Sequence, residues 1–212
     1  MKVTTKGRTA HASTPEHGID AIRGMHRVLS ELYEYQHRLT KRRSQVEGIF
    51  FPTIVPSIIH AGVKENVVAD TCELRFDRRI IPEEEAEKVR QELIGIFEGL
   101  MKADEELTIE WEELLYAESS GPTPTDTKLI QVMINAGTEA IGRNLPVIGG
   151  SGFTDARFYW HRGIPIVHFG LGPKDSADAR THGPDERAPL EDLANGTKIL
   201  AIAIMDLLGY ES

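Results

Sequence analysis

The 212-residue sequence has a single cysteine, Cys72, so no disulfide can form within the chain and a bridge-stapled small fold is excluded. A reducing cytoplasm is the simplest address for such a chain. Long apolar runs are also missing. The run Ile199-Leu200-Ala201-Ile202-Ala203-Ile204-Met205 falls far short of the roughly 20 residues that a membrane helix needs. Met1-Lys2-Val3-Thr4-Thr5 lacks the basic start and apolar stretch of a secretory signal. Positive charge is scarce: the net charge is −9, with the acidic residues spread along the chain. The one dense basic stretch, His37-Arg38-Leu39-Thr40-Lys41-Arg42-Arg43, reads as a solvated helix end whose cations complement the helix dipole. Nucleic acid, which demands a concentrated basic face, is a poor match, and a small polar substrate suits the chain better. With 40% apolar and 27% charged residues, the chain is an ordinary globular one.

Periodicity divides the sequence in two. Residues 1–8 alternate as a short strand, and the turn-rich 7–15 segment leads to a helix. Pro15 and Gly18 open that helix, and Ile19, Ile22, Met25, Leu29 and Leu32 mark its predicted buried face. Residues 49–61 read as a strand made irregular by Pro52 and Pro56, and Gly62 to Asn66 as a turn. Val68, Cys72, Leu74 and Phe76 then share one face of a strand covered on one side. Pro82 is predicted to start the second helix, with Glu83, Glu84 and Glu85 at its positive end and Ala86, Val89, Leu93, Ile96 and Leu100 inward. Leu107, Ile109 and Trp111 give a last strand. This order, βαββαβ, predicts a ferredoxin-like α+β domain over 1–115: an antiparallel sheet with two helices on one face.

Glu118 to Asp126 is loop chemistry and a natural border. Over 116–212 the character changes. A helix over 126–140 precedes Leu145-Pro146-Val147-Ile148 and the glycine-rich 149–152 segment. Ile164 to Phe169 reads as a strand buried on both faces, and a long final helix turns Leu193, Leu200, Ile204 and Leu207 or Leu208 inward. Such alternation suggests an α/β layer, yet two or three strands do not make a two-sided sheet alone. Glycines 149, 150 and 152 lack the lysine of a phosphate loop, so a tight turn is the better reading.

Three clusters carry candidate chemistry: His11 in Gly7-Arg8-Thr9-Ala10-His11-Ala12-Ser13, Asn66 before Val67-Val68-Ala69-Asp70, and His182 in Thr181-His182-Gly183-Pro184-Asp185-Glu186. Singly, a loop histidine is more often a surface residue than a ligand, and an asparagine before a strand is most often a turn former. In order, however, the motifs at 7–15, 66–70, 77–79, 151–157, 163–165 and 182–186 resemble the M20 family of metallopeptidases over essentially the whole chain. Within it the match is to the acetylornithine deacetylase and succinyl-diaminopimelate desuccinylase group.

The resemblance implies a fold and a set of roles. Residues 1–115 would be the lid, or dimerisation, domain, and 116–212 the C-terminal portion of an α/β zinc-hydrolase catalytic domain. His182 is similar to the late histidine ligand of one zinc in a two-metal site. His11 resembles the lid histidine that crosses a homodimer to donate to a developing oxyanion. Asn66 and Arg79 resemble substrate-holding groups, Arg79 suited to a bidentate grip on a carboxylate. Gly152 and Thr154 would line the loop that binds that carboxylate. Asp155-Ala156-Arg157 reads equally as an internal ion pair or a substrate contact, Asp185 and Glu186 as support or solvated charge, and the remaining histidines as structural. The family's other metal ligands and its general-base glutamate lie ahead of the lid. The expectation is therefore a C-terminal half that neither holds the metal pair nor hydrolyses anything alone. Joined to its missing catalytic half, it would cleave the amide bond of N-acyl amino acids or small peptides. The rival reading is a non-catalytic oligomerisation or ligand-binding module on a ferredoxin-like domain.

Overall fold

In the computed structural model, alternating apolar residues from four segments line one face of a single sheet. The model describes residues 1–117, 120–150, 152–170, 172–173 and 176–209. Glu118 and Ser119 of the predicted border, and Ser151 of the 151–157 motif, lie outside the described residues. The chain divides into two units, Met1–Ser119 and Ser120–Ser212.

The first unit runs β1 (Lys2–Lys6), α1 (Ala21–Leu39), β2 (Thr53–Ala61), β3 (Thr71–Arg79), α2 (Ala86–Ala103) and β4 (Thr108–Glu112). The sheet order is β2-β3-β1-β4, with every neighbouring pair antiparallel. The β2 register shifts between Pro56 and Ile58, where proline cannot donate to the ladder. Val3, Ile54, Cys72, Leu74, Phe76 and Ile109 of the sheet form one core with Met25, Val28 and Leu32 of α1 and Leu93 and Phe97 of α2. Phe97 meets Trp111 with ring centroids 5.8 Å apart. Thr5 is the one fully buried polar side chain among the described residues, and its hydroxyl donates to Ala21 O at 2.7 Å, tying β1 to the start of α1. On the opposite face Lys2 pairs with Glu112, Lys6 with Glu110 and Arg75 with Glu73.

Both helices start later than expected. Pro15–His17 is a separate 3-10 turn, and α1 starts only where Asp20 caps the Ile22 and Arg23 amides at 2.9 and 3.3 Å. Its buried stripe is Ala21, Met25, Val28, Leu32, Tyr35 and Leu39, while Ile22 is half exposed. Pro82 does not open α2, which begins at Ala86. Glu83 and Glu84 serve a tertiary contact instead of a helix dipole. Glu83 accepts from Ser44 Oγ and Gln45 N, and Glu84 from Arg42 and Arg78.

The second unit contains α3 (Lys128–Ile141), α4 (Ala156–Trp160) and α5 (Leu190–Leu208). Val132, Met133 and Ala136 of α3 pack on Ile199 and Ala203 of α5. This corrects the expected inward face of α5: Leu193 and Leu208 are each 69% exposed, and Leu200, Ile204 and Leu207 are also exposed. The predicted strand at Ile164 to Phe169 forms no ladder, and no strand occurs among the described residues of this unit. A strand exists only through hydrogen bonds to a neighbour. Here Ile166 bonds the Thr123 side chain instead, its carbonyl accepting at 2.7 Å and its amide donating at 3.3 Å.

Candidate functional site

His11 and Asn66 come together within the first unit. The chain after β1 runs antiparallel to the chain before β3, joined by Gly7 N to Asp70 O, Val68 N to Ala10 O and Ala12 N to Asn66 O, with His11 bridging to Val67. Gly7 is required where the same stretch also packs on the segment before α1, because a Cβ there would lie 2.0 Å from Ile19 O. The His11 ring is exposed and its orientation is set locally. Ser13 N donates to Nδ1 at 3.2 Å, and Ser13 Oγ lies 2.7 Å from the same atom. A nitrogen that accepts an amide N–H carries its lone pair, so the neutral ring holds its proton on Nε2 and presents a donor to solvent. Ser13, which sequence reasoning passed over, is thus the residue that makes His11 a donor. The A-H-A-S spacing was its only signal.

Arg79 stands elsewhere. Asn66 precedes β3 and Arg79 closes it, so eight strand steps from Thr71 alone separate them by roughly 26 Å at the usual rise. Arg79 Nε donates to Asp77 Oδ1 at 2.7 Å, and its side chain is nearly half exposed. Its neighbour Arg78, the unread middle of the 77–79 motif, is instead buried at 6% exposure and donates from Nη2 to Glu84 Oε1 at 2.7 Å. Arg42 joins Glu84 and Glu92 at 2.7 and 2.9 Å, and the Tyr35 hydroxyl donates to Glu92 at 2.6 Å. Burial opposes the Arg42 charge, but the Glu84 and Glu92 carboxylates outweigh it and raise its pKa. Burial, then the bond to Glu92, raises Tyr35. This network is a tertiary brace behind the strand end that carries Arg79.

In the second unit, Gly152 and Thr154 are exposed on the turn before α4. The Arg157 guanidinium lies 4.2 Å from the Phe153 ring centroid and 4.1 Å from that of Phe158. It donates to Thr154 O at 3.0 Å and reaches Asp155 Oδ1 at 3.4 Å. Asp155 and Arg157 are thus an internal pair that supports the loop. The Thr154 hydroxyl accepts from Ala156 N at 3.2 Å and lies 3.3 Å from His168 Nε2, a contact that sequence reading assigned to no site.

His182 has a φ of +66°, a left-handed conformation unusual for a residue with a Cβ. Its amide donates to Glu186 Oε2 at 3.0 Å, and Arg180 pairs with Asp185 at 3.1 Å. Glu186 therefore supports the turn that presents His182. Among the described residues, no three or more His, Cys, Asp or Glu side chains converge to hold a metal ion. The described side chains do not by themselves form a two-metal centre.

Comparisons with known proteins bear on both units. A peptidase dimerisation domain model matches residues 1–105. An uncharacterised metallohydrolase of Methanocaldococcus jannaschii is 26% identical over 94% of this chain and 49% of its own length. Acetylornithine deacetylase of Photorhabdus laumondii is 28% identical over 92% of the chain and 48% of its own length. The chain thus spans about half the length of the curated relatives it matches. The aminopeptidase PepT of Bacillus cereus superimposes with a TM-score of 0.64 at 21% identity, over 98% of this chain and 51% of that one, a likeness of fold. No described helix is long and apolar enough to cross a membrane.

Proposed function

This chain belongs to the M20 family of metallopeptidases, and from that premise we propose that it serves metal-dependent hydrolysis of the amide bond in N-acyl amino acids or small peptides. Its relatives and structural neighbours are metallohydrolases and peptidases, and its first unit is matched by a dimerisation domain. In this reading residues 1–115 are a ferredoxin-like lid, as the βαββαβ order and the β2-β3-β1-β4 sheet support. Residues 116–212 are the C-terminal part of the catalytic domain. The metal is zinc, with His182 one ligand. The 212 residues alone bind it weakly and are inactive.

The placement of His11 and Asn66 at one end of β3 and Arg79 at the other carries the proposal of action across a dimer. A span of roughly 26 Å is too long for one small substrate to meet all three from a single lid. A two-fold axis would bring the His11 end of one lid and the Arg79 end of its partner to the same ligand. The edge strand β2, with Val55, Ile58 and Ile59 about half exposed, is a surface through which such lids could pair. His11 Nε2–H then donates to the oxyanion as the amide carbonyl is attacked, while Asn66, Arg79 and the Gly152–Thr154 loop hold the substrate.

The test is subunit mixing in the assembly that spans the full length of the relatives. His11→Ala alone lowers kcat by about 10²–10³, the usual cost of losing one oxyanion donor, and leaves metal content unchanged. Mixing it with His182→Ala subunits restores one competent site per heterodimer. Mixed dimers that form without recovering activity would overturn the arrangement. For the 212-residue chain, calorimetric titration that finds two tight zinc sites would overturn the incomplete centre.

A further inference from the structure

We propose that His168 is a positioning residue for anion recognition: it donates from Nε2 into the Thr154 hydroxyl and so turns that hydroxyl's own proton toward a ligand carboxylate. The proposal rests on reading Gly152 and Thr154 as the loop that holds the substrate carboxylate, and adds a residue that the resemblance does not supply.

The argument is one of valence. A threonine hydroxyl has one proton and two lone pairs. Ala156 N–H, at 3.2 Å, occupies one lone pair. His168 Nε2, at 3.3 Å, has two choices. If Nε2 carries the proton, it fills the second lone pair, and the only unassigned valence of Thr154 is an outward O–H on an exposed side chain. If Nε2 is unprotonated, it takes the Thr154 proton, and the hydroxyl offers an anion nothing. Carboxylate binding and the Nε2-protonated ring therefore stabilise each other, and each must favour the other by the same factor.

The setting fits an anion. Arg157, held between the Phe153 and Phe158 rings, places its charge against the backbone of this turn through the 3.0 Å bond to Thr154 O. The Phe rings and Arg157 hold the backbone of the turn, while Ala156 N–H and His168 Nε2 are the contacts made by the hydroxyl itself. The ligand class is a carboxylate flanked by a neutral amide, as in an N-acyl amino acid.

The experiment uses the uniformly ¹⁵N-labelled 212-residue chain, with N-acetylglycine against N-acetylglycinamide as probes. N-acetylglycine is expected to move the Thr154 and Ala156 amide resonances and to drive the His168 nitrogen shifts to the Nε2-protonated pattern. The amide probe, without a carboxylate, is expected to do neither. His168→Gln keeps a donor at the reach of Nε2 and retains affinity. His168→Glu has similar reach but only accepts, and weakens N-acetylglycine roughly fivefold or more, the loss expected for one hydrogen bond. Because the Glu charge itself repels an anion, the readout that a purely structural His168 would not move is the ligand-driven Nε2 protonation pattern of the parent. If His168→Glu binds as tightly as the parent while Thr154→Val does not bind, the role of His168 is overturned and the carboxylate loop stands. If Thr154→Val binds as well as the parent, or N-acetylglycine moves no resonance of the loop, the loop reading falls and takes this inference with it. Equal binding of the two probes would overturn the anion.

Discussion

The two units of this chain bury their apolar residues to different extents. In the first, both helices and all four strands contribute to one core, in which Val3, Val28, Leu32, Ile54 and Phe97 are wholly buried, although Val55, Ile58 and Ile59 of β2 stay about half exposed. In the second, two helices bury Val132, Met133, Ala136, Ile199 and Ala203 against one another, while Val147, Ile148, Phe158, Tyr159, Ile164, Leu193 and Ile204 remain exposed. Both sequences carry helical and strand patterns of similar quality. The difference is that an apolar stripe becomes core only when its partner surface exists, and in the second unit the described partner surface is one helix pair. Burial is a property of two surfaces, whereas periodicity reports one.

The largest effect that sharpens this contrast lies in the first unit. Glu84 is 8% exposed and holds both Arg42 and Arg78, the latter itself buried with no described partner for its Nε. Glu84→Ala leaves that charge uncompensated and is expected to cost about 3–5 kcal/mol, read by urea unfolding of the first unit. Next is Ile199→Ala, expected to cost about 2–4 kcal/mol and to raise amide exchange in α3 and α5 while protection in the first unit stays unchanged. Loss of protection in both units together would break the contrast. Leu193→Ala, at a position the sequence places in the core, is expected to stay within about 0.5 kcal/mol because the side chain is 69% exposed. A core-sized loss there would show that the α5 outer face is covered in solution.

These cases also mark what was legible. The β3 alternation was readable because Cys72, Leu74 and Phe76 meet a helix layer encoded in the same unit, and the bulge was readable because Pro56 withholds a donor. The α1 stripe was readable at Met25, Leu29 and Leu32, whereas Ile19 lies ahead of the helix that Asp20 caps and Ile22 faces solvent. Glu83 and Glu84 looked like helix-dipole charges because local pattern is blind to Ser44 and Arg42, some 40 positions back. Ile164 to Phe169 has strand composition, but ladder hydrogen bonds are a tertiary fact. Of the candidate site, motif order singled out His11 and Asn66 separately, and only the backbone bridge brings them together. The Thr154–His168 contact spans 14 residues and two loops, and nothing in the local sequence announces it.

An effect that depends on pH belongs to the same brace. Burial would raise the Glu92 carboxyl, but the bonds from Tyr35 and Arg42 outweigh it and hold its pKa below the ordinary value. A carboxyl depressed in the folded state contributes stability above its unfolded pKa of about 4.3, and loses it as pH falls through the lower folded value. Tyr35 shifts the other way, raised first by burial and then by Glu92, so its contribution is present below about 10 and lost as pH rises through the folded value. Glu92 is 37% exposed, so solvent screening keeps its share at or below about 1 kcal/mol. The expected result is a stability difference between parent and Glu92→Gln that is flat from about pH 6 to 9 and shrinks toward pH 3. Tyr35→Phe should shrink that acid limb, because its bond is the largest of those that lower Glu92, and should also remove part of the loss above about pH 10. If the difference between parent and Glu92→Gln does not change between pH 6 and 3, Glu92 is held by shape alone, and the brace behind Arg79 is not electrostatic.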